Sequence, residues 1–414
     1  MLQRLFASIV KTGTLILLTA DGRRMSFGTG APEVVMRLHD RKAYRELGLN
    51  PELKLGELYM DGRLSVENGD IADLLDLLMS NLAQVPATRL MNILRYFRRA
   101  TRRIAQHNRP RRSRSNVAHH YDLSGRLYDI FLERDRQYSC AYFSAPGETL
   151  EDAQIGKKRH IAAKLFLDRP GLNVLDIGSG WGGLALDLAR DCDANVLGVT
   201  LSEEQIAVAQ KRAQTANLAE RCRFELIDYR ALGGTFDRIV SVGMFEHVGV
   251  PHYPAFFDKM RTLLNDDGVA VLHTIGRSDG PGFTNPWIAK YIFPGGYTPA
   301  LSEVVPVIER AGLIVTDVEI LRLHYAETLK EWRRRFRAQW NTAAELYDER
   351  FCRMWDFYLA SAEMGFRREG LVVFQIQIAR KIDALPITRD YMFETERTMR
   401  FAGTETMPRP VRAA

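Results

Sequence analysis

No run of this sequence approaches the roughly 18–20 consecutive apolar residues that a bilayer-spanning helix needs. The best N-terminal candidate is only Leu15–Leu18. Cysteine is scarce. Cys140, Cys192, Cys222 and Cys352 are scattered, with no C-x-x-C pair and no zinc-ligand spacing. A disulfide framework is thereby excluded as the basis of the fold. Met1–Val10 carries one early Arg and an apolar stretch, but no small-residue cleavage site follows, so no secretion signal is read and a cytoplasmic location is expected. Acid is missing from one long segment: neither Asp nor Glu occurs between Asp76 and Asp122. That gap holds Arg89, Arg95, Arg98, Arg99, Arg102, Arg103, Arg109, Arg111, Arg112 and Arg114. A cluster of one sign expects an anionic partner, either nucleic acid or an acidic membrane surface.

What is present divides the 414 residues into zones. Residues 1–88 read as a small N-terminal domain of mixed α and β pieces. Thr14–Thr19 and Arg24–Phe27 read as strands flanking the hairpin signal Asp21-Gly22. Pro32–His39, Gly56–Met60 and Ile71–Leu82 read as short helices. Residues 89–115 follow as a basic helix and linker. Leu90, Ile93, Leu94, Phe97, Thr101 and Ile104 share one helical face, and the arginines occupy the other. This pattern fits a helix lying on a membrane, and equally a packing helix with a solvated arginine face. Residues 116–400 form the main domain, and 401–414 read as a disordered tail.

From about Asn173 strands and helices alternate. Strands are expected at Val174–Ile177, Asn195–Thr200, Phe224–Ile227, Arg238–Val242, Val269–Thr274, Leu313–Leu321 and Leu371–Ala379. Helices are expected at Gly183–Arg190, Glu203–Ala216, Tyr253–Leu264 and Leu301–Ala311. A long helical insertion, Ala326–Phe366, separates the sixth strand from the seventh. Such alternation predicts an α/β fold with a doubly wound parallel sheet, helices on both faces. A late seventh strand suits the Rossmann-like class I methyltransferases.

The first strand runs into Gly178-Ser-Gly-Trp-Gly-Gly183, which satisfies G-x-G-x-x-G. Glycines there permit positive φ and let a nucleotide approach the backbone. Dinucleotide dehydrogenases share this spacing. Asp176 ahead of the loop belongs to the methyltransferase pattern D-x-G-x-G, and the second strand ends in Thr200-Leu201-Ser202 rather than in an NAD-ribose acid. Both features favour S-adenosylmethionine. Asp228-Tyr229-Arg230, after the third strand, is placed to close the adenine side, Asp228 as acceptor and Tyr229 against the ring.

Further segments are more specific. They include His120-Tyr-Asp-Leu-Ser124, Tyr138-Ser-Cys-Ala-Tyr-Phe143, Asp237-Arg-Ile-Val-Ser-Val-Gly-Met-Phe-Glu-His247, Leu272-His-Thr-Ile-Gly276, Trp287-Ile-Ala-Lys-Tyr-Ile-Phe-Pro294 and His324-Tyr-Ala-Glu-Thr-Leu329. In order and density they resemble the cyclopropane-fatty-acyl-phospholipid synthases and mycolic acid cyclopropane synthases, from about residue 116 to 381. Gly56-Glu-Leu-Tyr-Met-Asp-Gly62 resembles the small extra domain of the bacterial phospholipid enzymes. Ser179 stands where the family more often has Cys. The resemblance implies methylene transfer from S-adenosylmethionine to a cis double bond of phospholipid acyl chains, through methyl transfer, a carbocation and deprotonation. It implies a bicarbonate ion as base, held by Cys140, Glu246, His273, the Ile275 backbone and Tyr325. It adds Tyr121, Tyr138, Ser139, Trp181, Gly182 and Gln205 to the cofactor set. The arginine run beside an apolar helical face, with the N-terminal domain, leads to the expectation of peripheral association with the inner face of an anionic phospholipid membrane, and the resemblance implies a homodimer.

The residue types suit that chemistry. A small anion needs donors, which His273, Tyr325 and a backbone N–H supply. Glu246 beside an anion must share a proton with it or be compensated by His273. Cys140 has no activating neighbour in sequence. Adjacent Glu246 and His247 do not converge on a metal, and no metal site is expected. Phe143, Phe245, Tyr291 and Phe293 are candidates for an acyl channel whose ring faces stabilise a cation. A fatty-acid C-methyltransferase giving a methyl or methylene branch remains open, since only the proton lost differs. A nucleic-acid methyltransferase fits the arginines, but Gly243-Met-Phe-Glu-His247 lacks the Asn/Asp-Pro-Pro-aromatic motif that holds a flipped base.

Overall fold

The computed structural model describes residues 2–82 and 125–399. The expected basic helix and linker, Tyr121 and the C-terminal tail lie outside the described residues.

The N-terminal unit runs α1 (Leu2–Ile9), β1 (Thr12–Leu18), β2 (Arg24–Leu38), α2 (Arg41–Leu49), α3 (Pro51–Met60), β3 (Leu64–Asn68) and α4 (Ile71–Leu82). Gly22 closes the expected turn, its N–H donating to the Thr19 carbonyl. Pro32–His39 is not a helix. Val34, Met36 and Leu38 are buried and alternate with half-buried Val35 and Arg37, the period of a strand. β1 pairs with both halves of β2, Leu15 lying opposite Phe27 on one side and Val34 on the other. Three elements were not expected from the sequence: α1, α2 and β3.

The larger unit runs α5 (Gly125–Phe131), α6 (Leu150–Lys164), β4 (Asn173–Ile177), α7 (Gly183–Asp191), β5 (Asn195–Thr200), α8 (Glu203–Thr215), β6 (Cys222–Leu226), β7 (Phe236–Val242), α9 (Tyr253–Leu263), β8 (Leu264–Arg277), α10 (Pro286–Tyr291), α11 (Leu301–Arg310) and β9 (Ile314–Leu321). The insertion then resolves into α12 (His324–Ala338), α13 (Trp340–Leu346) and α14 (Glu349–Arg368), followed by β10 (Leu371–Ala379) and α15 (Asp390–Thr398). Every expected strand of this unit is present. The sheet order is β6-β5-β4-β7-β8-β10-β9. It is not wholly parallel: β10 enters between β8 and β9 and runs antiparallel to both. The strand order reverses between β4 and β7, so a crevice opens at their carboxyl ends, where ligands of such sheets bind.

The two units share one apolar cluster. It runs from Leu15 and Leu58 through Trp287 to Trp355 and Cys140. Trp287 of α10 packs on Gly56, where an added Cβ would come within 2.5 Å of the indole. Across the same contact Arg333 of α12 donates to Asp356 of α14 at 2.7 Å and pairs with Asp70 at 2.9 Å. Tyr59 donates to the other Asp356 oxygen at 2.9 Å. Among the described residues no helix is long and apolar enough to cross a membrane.

Candidate active site

A cavity of about 170 Å³ occupies the crevice at the strand ends. Asp176 and Ile177 end β4, Thr200 closes β5, and Val242 closes β7 against it. The turn after β4 supplies Gly178, Ser179, Gly180 and Trp181. Gly178 has φ +85°, and a Cβ there would sit 2.9 Å from the Met244 Cβ. Gly183 opens α7 where a side chain would strike Asp135 and Gln137. At Gly178 and Gly183 the backbone comes too close to its neighbours for a side chain, a cradle suited to a nucleoside. Of the expected cofactor residues, Tyr138, Ser139, Asp176, Gly178, Gly180, Trp181, Thr200, Leu201, Gln205, Asp228, Tyr229 and Arg230 line the cavity. Gly182 and Ser202 lie behind the lining: Gly182 packs on Phe224, and Ser202 caps α8 by accepting from the Gln205 N–H. Asp228 receives a two-pronged contact from Arg230.

The opposite wall is an irregular segment, Asp135–Cys140, held by polar side chains of α6. Gln154 donates to the Gln137 and Ser139 carbonyls at 3.1 and 3.0 Å. Lys157, fully buried, donates to Gln137 Oε1 and Ser139 Oγ, both at 2.7 Å. Burial pushes its ammonium down to about 8. Asp135 is opposed by burial, but Lys158 and Arg212 hold it at about 2. Lys157 also lines the cavity, as do Gln137, Met244, His247 and His252. None of these was expected from the sequence as a cofactor residue. α6 buries Gln154, Lys157, Lys158, His160 and Lys164 along with its apolar residues, so it shows no apolar stripe to read.

None of Cys140, Glu246, His273, Ile275 and Tyr325 lines the cavity; they lie just behind it. Val242 pairs with His273, and the Gly243 N–H donates to the His273 carbonyl at 2.9 Å. Glu246 is one residue from His247. Cys140 follows Ser139, and its neighbour Ala141 donates to Thr328 on α12, one turn beyond Tyr325. The Ile275 N–H, assigned to the anion by resemblance, donates instead to Glu246 Oε1 at 2.6 Å. Glu246 Oε2 is buried with no hydrogen bond among the described residues. Burial pushes this carboxyl up to about 7. Burial drives His273 well below its usual range, so the ring is neutral and does not offset a charge on Glu246. Burial pushes the Cys140 thiol far up, so it is not a thiolate nucleophile.

The expected aromatic residues divide. Phe245 is core, stacked on Tyr253 at 4.3 Å. Tyr291 faces the N-terminal unit and donates to Glu57. Phe143 lies over His324. Only Phe293 approaches the site, 6.0 Å from His247 and 5.8 Å from Tyr358. The aromatic residues packed behind Tyr138 of the cavity lining come from the insertion instead. Trp332 stacks on Tyr138 at 5.1 Å, Tyr325 stands edge-on to Trp332 at 5.7 Å, and Tyr358 shares a 2.8 Å hydrogen bond with the Tyr138 hydroxyl.

Comparison with known proteins agrees with this geometry. Residues 108–376 match the mycolic acid cyclopropane synthetase family, and residues 1–86 match a domain of unknown function. A probable fatty acid methyltransferase of Pseudomonas putida is 34% identical, covering 90% of this chain and 94% of its own. The cyclopropane-fatty-acyl-phospholipid synthase of Escherichia coli is 36% identical over 86% of this chain and 90% of its own. The solved structure of mycolic acid cyclopropane synthase CmaA1 complexed with SAH and CTAB superposes with a TM-score of 0.61 at 34% identity, covering 64% of this chain and 98% of that one. The seven-stranded sheet, the glycine cradle at its switch point and these matches together place the chain in the mycolic acid cyclopropane synthetase family of S-adenosylmethionine-dependent methyltransferases.

Proposed function

We propose that this enzyme converts cis double bonds in phospholipid acyl chains to cyclopropane rings, with bicarbonate held beside Glu246. The observation that carries the reading is Glu246: a buried carboxyl with one unpaired oxygen and a proton affinity near neutrality, behind the cofactor cavity. S-adenosylmethionine, when bound, supplies an electrophilic methyl to the alkene, and bicarbonate supplies a base. The protein's own part is threefold. Asp176, the glycine turn and the Gln137–Ser139 wall hold the cofactor. Tyr138, Trp332, Tyr325 and Tyr358 exclude water and present ring faces to positive charge developing on the acyl chain. Glu246 holds a proton at Oε2 toward the anion, while neutral His273 contributes a ring N–H.

Mass spectrometry of mono-unsaturated vesicles incubated with enzyme and S-adenosylmethionine tests this. The expected product gains one CH₂ and resists hydrogenation. A gain that takes up hydrogen would establish a methylene branch, the second reading, which the Pseudomonas putida relative favours by its name. No gain with bound cofactor would remove both.

We also propose that the enzyme works at an anionic membrane surface, in the cytoplasm, through the arginines between Arg89 and Arg114. Co-sedimentation should be stronger with anionic than with neutral vesicles and should weaken as salt rises. Equal binding to both vesicle types would sink this idea. A homodimer is proposed on the family resemblance alone, with sedimentation as its test.

A further inference from the structure

His273 stands on β8, and the register of the sheet sets Gln375 of β10 directly opposite it. Glu319 of β9 stands opposite Gln375 in turn. Three polar residues thus form a row across three neighbouring strands. Gln375 is fully buried and His273 nearly so. A polar row inside a sheet is costly unless each member is paired, and α6 completes the pairing. Lys164, at the end of that helix and 2% exposed, donates from Nζ to Gln375 Oε1 at 2.8 Å and pairs with Glu319. The same Glu319 oxygen meets His160 Nε2 at 2.6 Å, and His160 Nδ1 lies 3.0 Å from Glu396.

The ammonium decides which way the Gln375 amide faces. Turned over, its NH₂ would confront the Lys164 ammonium, donor against donor. With Oε1 on Lys164, Nε2 lies 3.1 Å from His273 Nδ1. An amide NH₂ can only donate, so Nδ1 must carry a lone pair, and the proton of the neutral ring is on Nε2. We propose that Glu319, Lys164 and Gln375 form a lock that fixes His273 as a neutral Nε2–H donor. Lys164 and Gln375 are positioning residues acting through His273. Burial, reinforced by the nearby positive charges of Lys157 and Lys164, opposes a second proton on the ring. The functional consequence rests on the assignment of His273 as a ligand of the anionic base: an Nε2–H ring offers an anion a donor, whereas an Nδ1–H ring would offer it a lone pair.

The test is two-bond ¹⁵N–¹H spectroscopy on the full chain labelled at histidine, with His273 identified by its loss in His273→Asn. Wild-type protein should show an unprotonated Nδ1 and a protonated Nε2 at this residue. Gln375→Glu puts an acceptor opposite Nδ1 while keeping a partner for Lys164, so it should draw the proton to Nδ1. Retained SAH binding would show that the variant is folded. An Nδ1–H ring in the wild type, or an unmoved proton in Gln375→Glu, would overturn the lock. Turnover answers the separate question of the site. A moved proton with kcat lowered about 10- to 100-fold and KM for S-adenosylmethionine unchanged supports both readings. A moved proton with full turnover leaves the lock standing and removes His273 from the reaction.

Discussion

Glu246 sits in an environment that a carboxylate would not choose. Its carboxyl is buried, accepts from one amide, and is pushed up from 4.5 to about 7 by that burial. Between those values the folded protein retains a proton that the unfolded chain has released. Stability therefore falls as pH rises through that window and levels off above about 7. Glu246→Gln removes the burden, so it should stabilise the protein by roughly 3 kcal/mol at pH 8 and by little at pH 4.5. Thermal unfolding at the two values checks this, and an equal gap at both would refute it. The same variant should lose about 10²- to 10⁴-fold in kcat with S-adenosylmethionine affinity retained by calorimetry. Undiminished turnover would exclude Glu246 from proton handling. Its place in Gly243-Met-Phe-Glu-His247 was legible in the sequence, but its protonation was not, because burial is a property of what packs around a group.

Among the elements, the turn between β4 and α7 is the one whose sequence says most. Positive φ and a close approach to Met244 both require glycine at 178. Gly178→Ala should impose strain of about 1–2 kcal/mol and weaken S-adenosylmethionine binding about tenfold or more by calorimetry. Unchanged affinity would show that the cradle has room for a side chain. Helix α6 is the opposite case. It holds the other cavity wall through Gln154 and Lys157, yet its buried lysines and glutamine look in sequence like those of a solvated helix. Helices α12 and α14 likewise pack Trp332 and Tyr358 against Tyr138 of the cavity lining, although the sequence reads there simply as an insertion. The Pro32–His39 segment fails for a local reason: eight residues with four apolar positions, Val34, Val35, Met36 and Leu38, are too few to separate period two from period 3.6 once a proline is read as a helix start.

At the scale of the molecule, the N-terminal unit is tied to the insertion rather than to the cofactor sheet. Arg333, Asp356, Asp70 and Tyr59 join α12 and α14 to the N-terminal unit in a largely buried network. Removing one partner strands a buried charge, which typically costs about 3–5 kcal/mol. Asp356→Asn should therefore lower the denaturation midpoint substantially and expose the junction at Gly56 and Trp287 to limited proteolysis. A midpoint unchanged from wild type would mean the pairing adds nothing. Because Trp332 is one residue from Arg333, the variant should also reduce turnover more than it reduces cofactor affinity, as measured by kcat against the calorimetric Kd.

Sequence by itself determined the alternating order of strands and helices and the glycine turn. These follow from hydrophobic period and from backbone conformations open only to glycine, both local properties of the chain. Only the tertiary structure decided that β10 enters the sheet antiparallel between β8 and β9. That insertion is what sets Gln375 against His273 and brings Lys164 of a distant helix onto the same row. Which polar groups meet in the interior depends on strand register and on helices returning from elsewhere in the chain. No spacing along the sequence encodes that meeting, because the partners lie 102 and 211 residues apart.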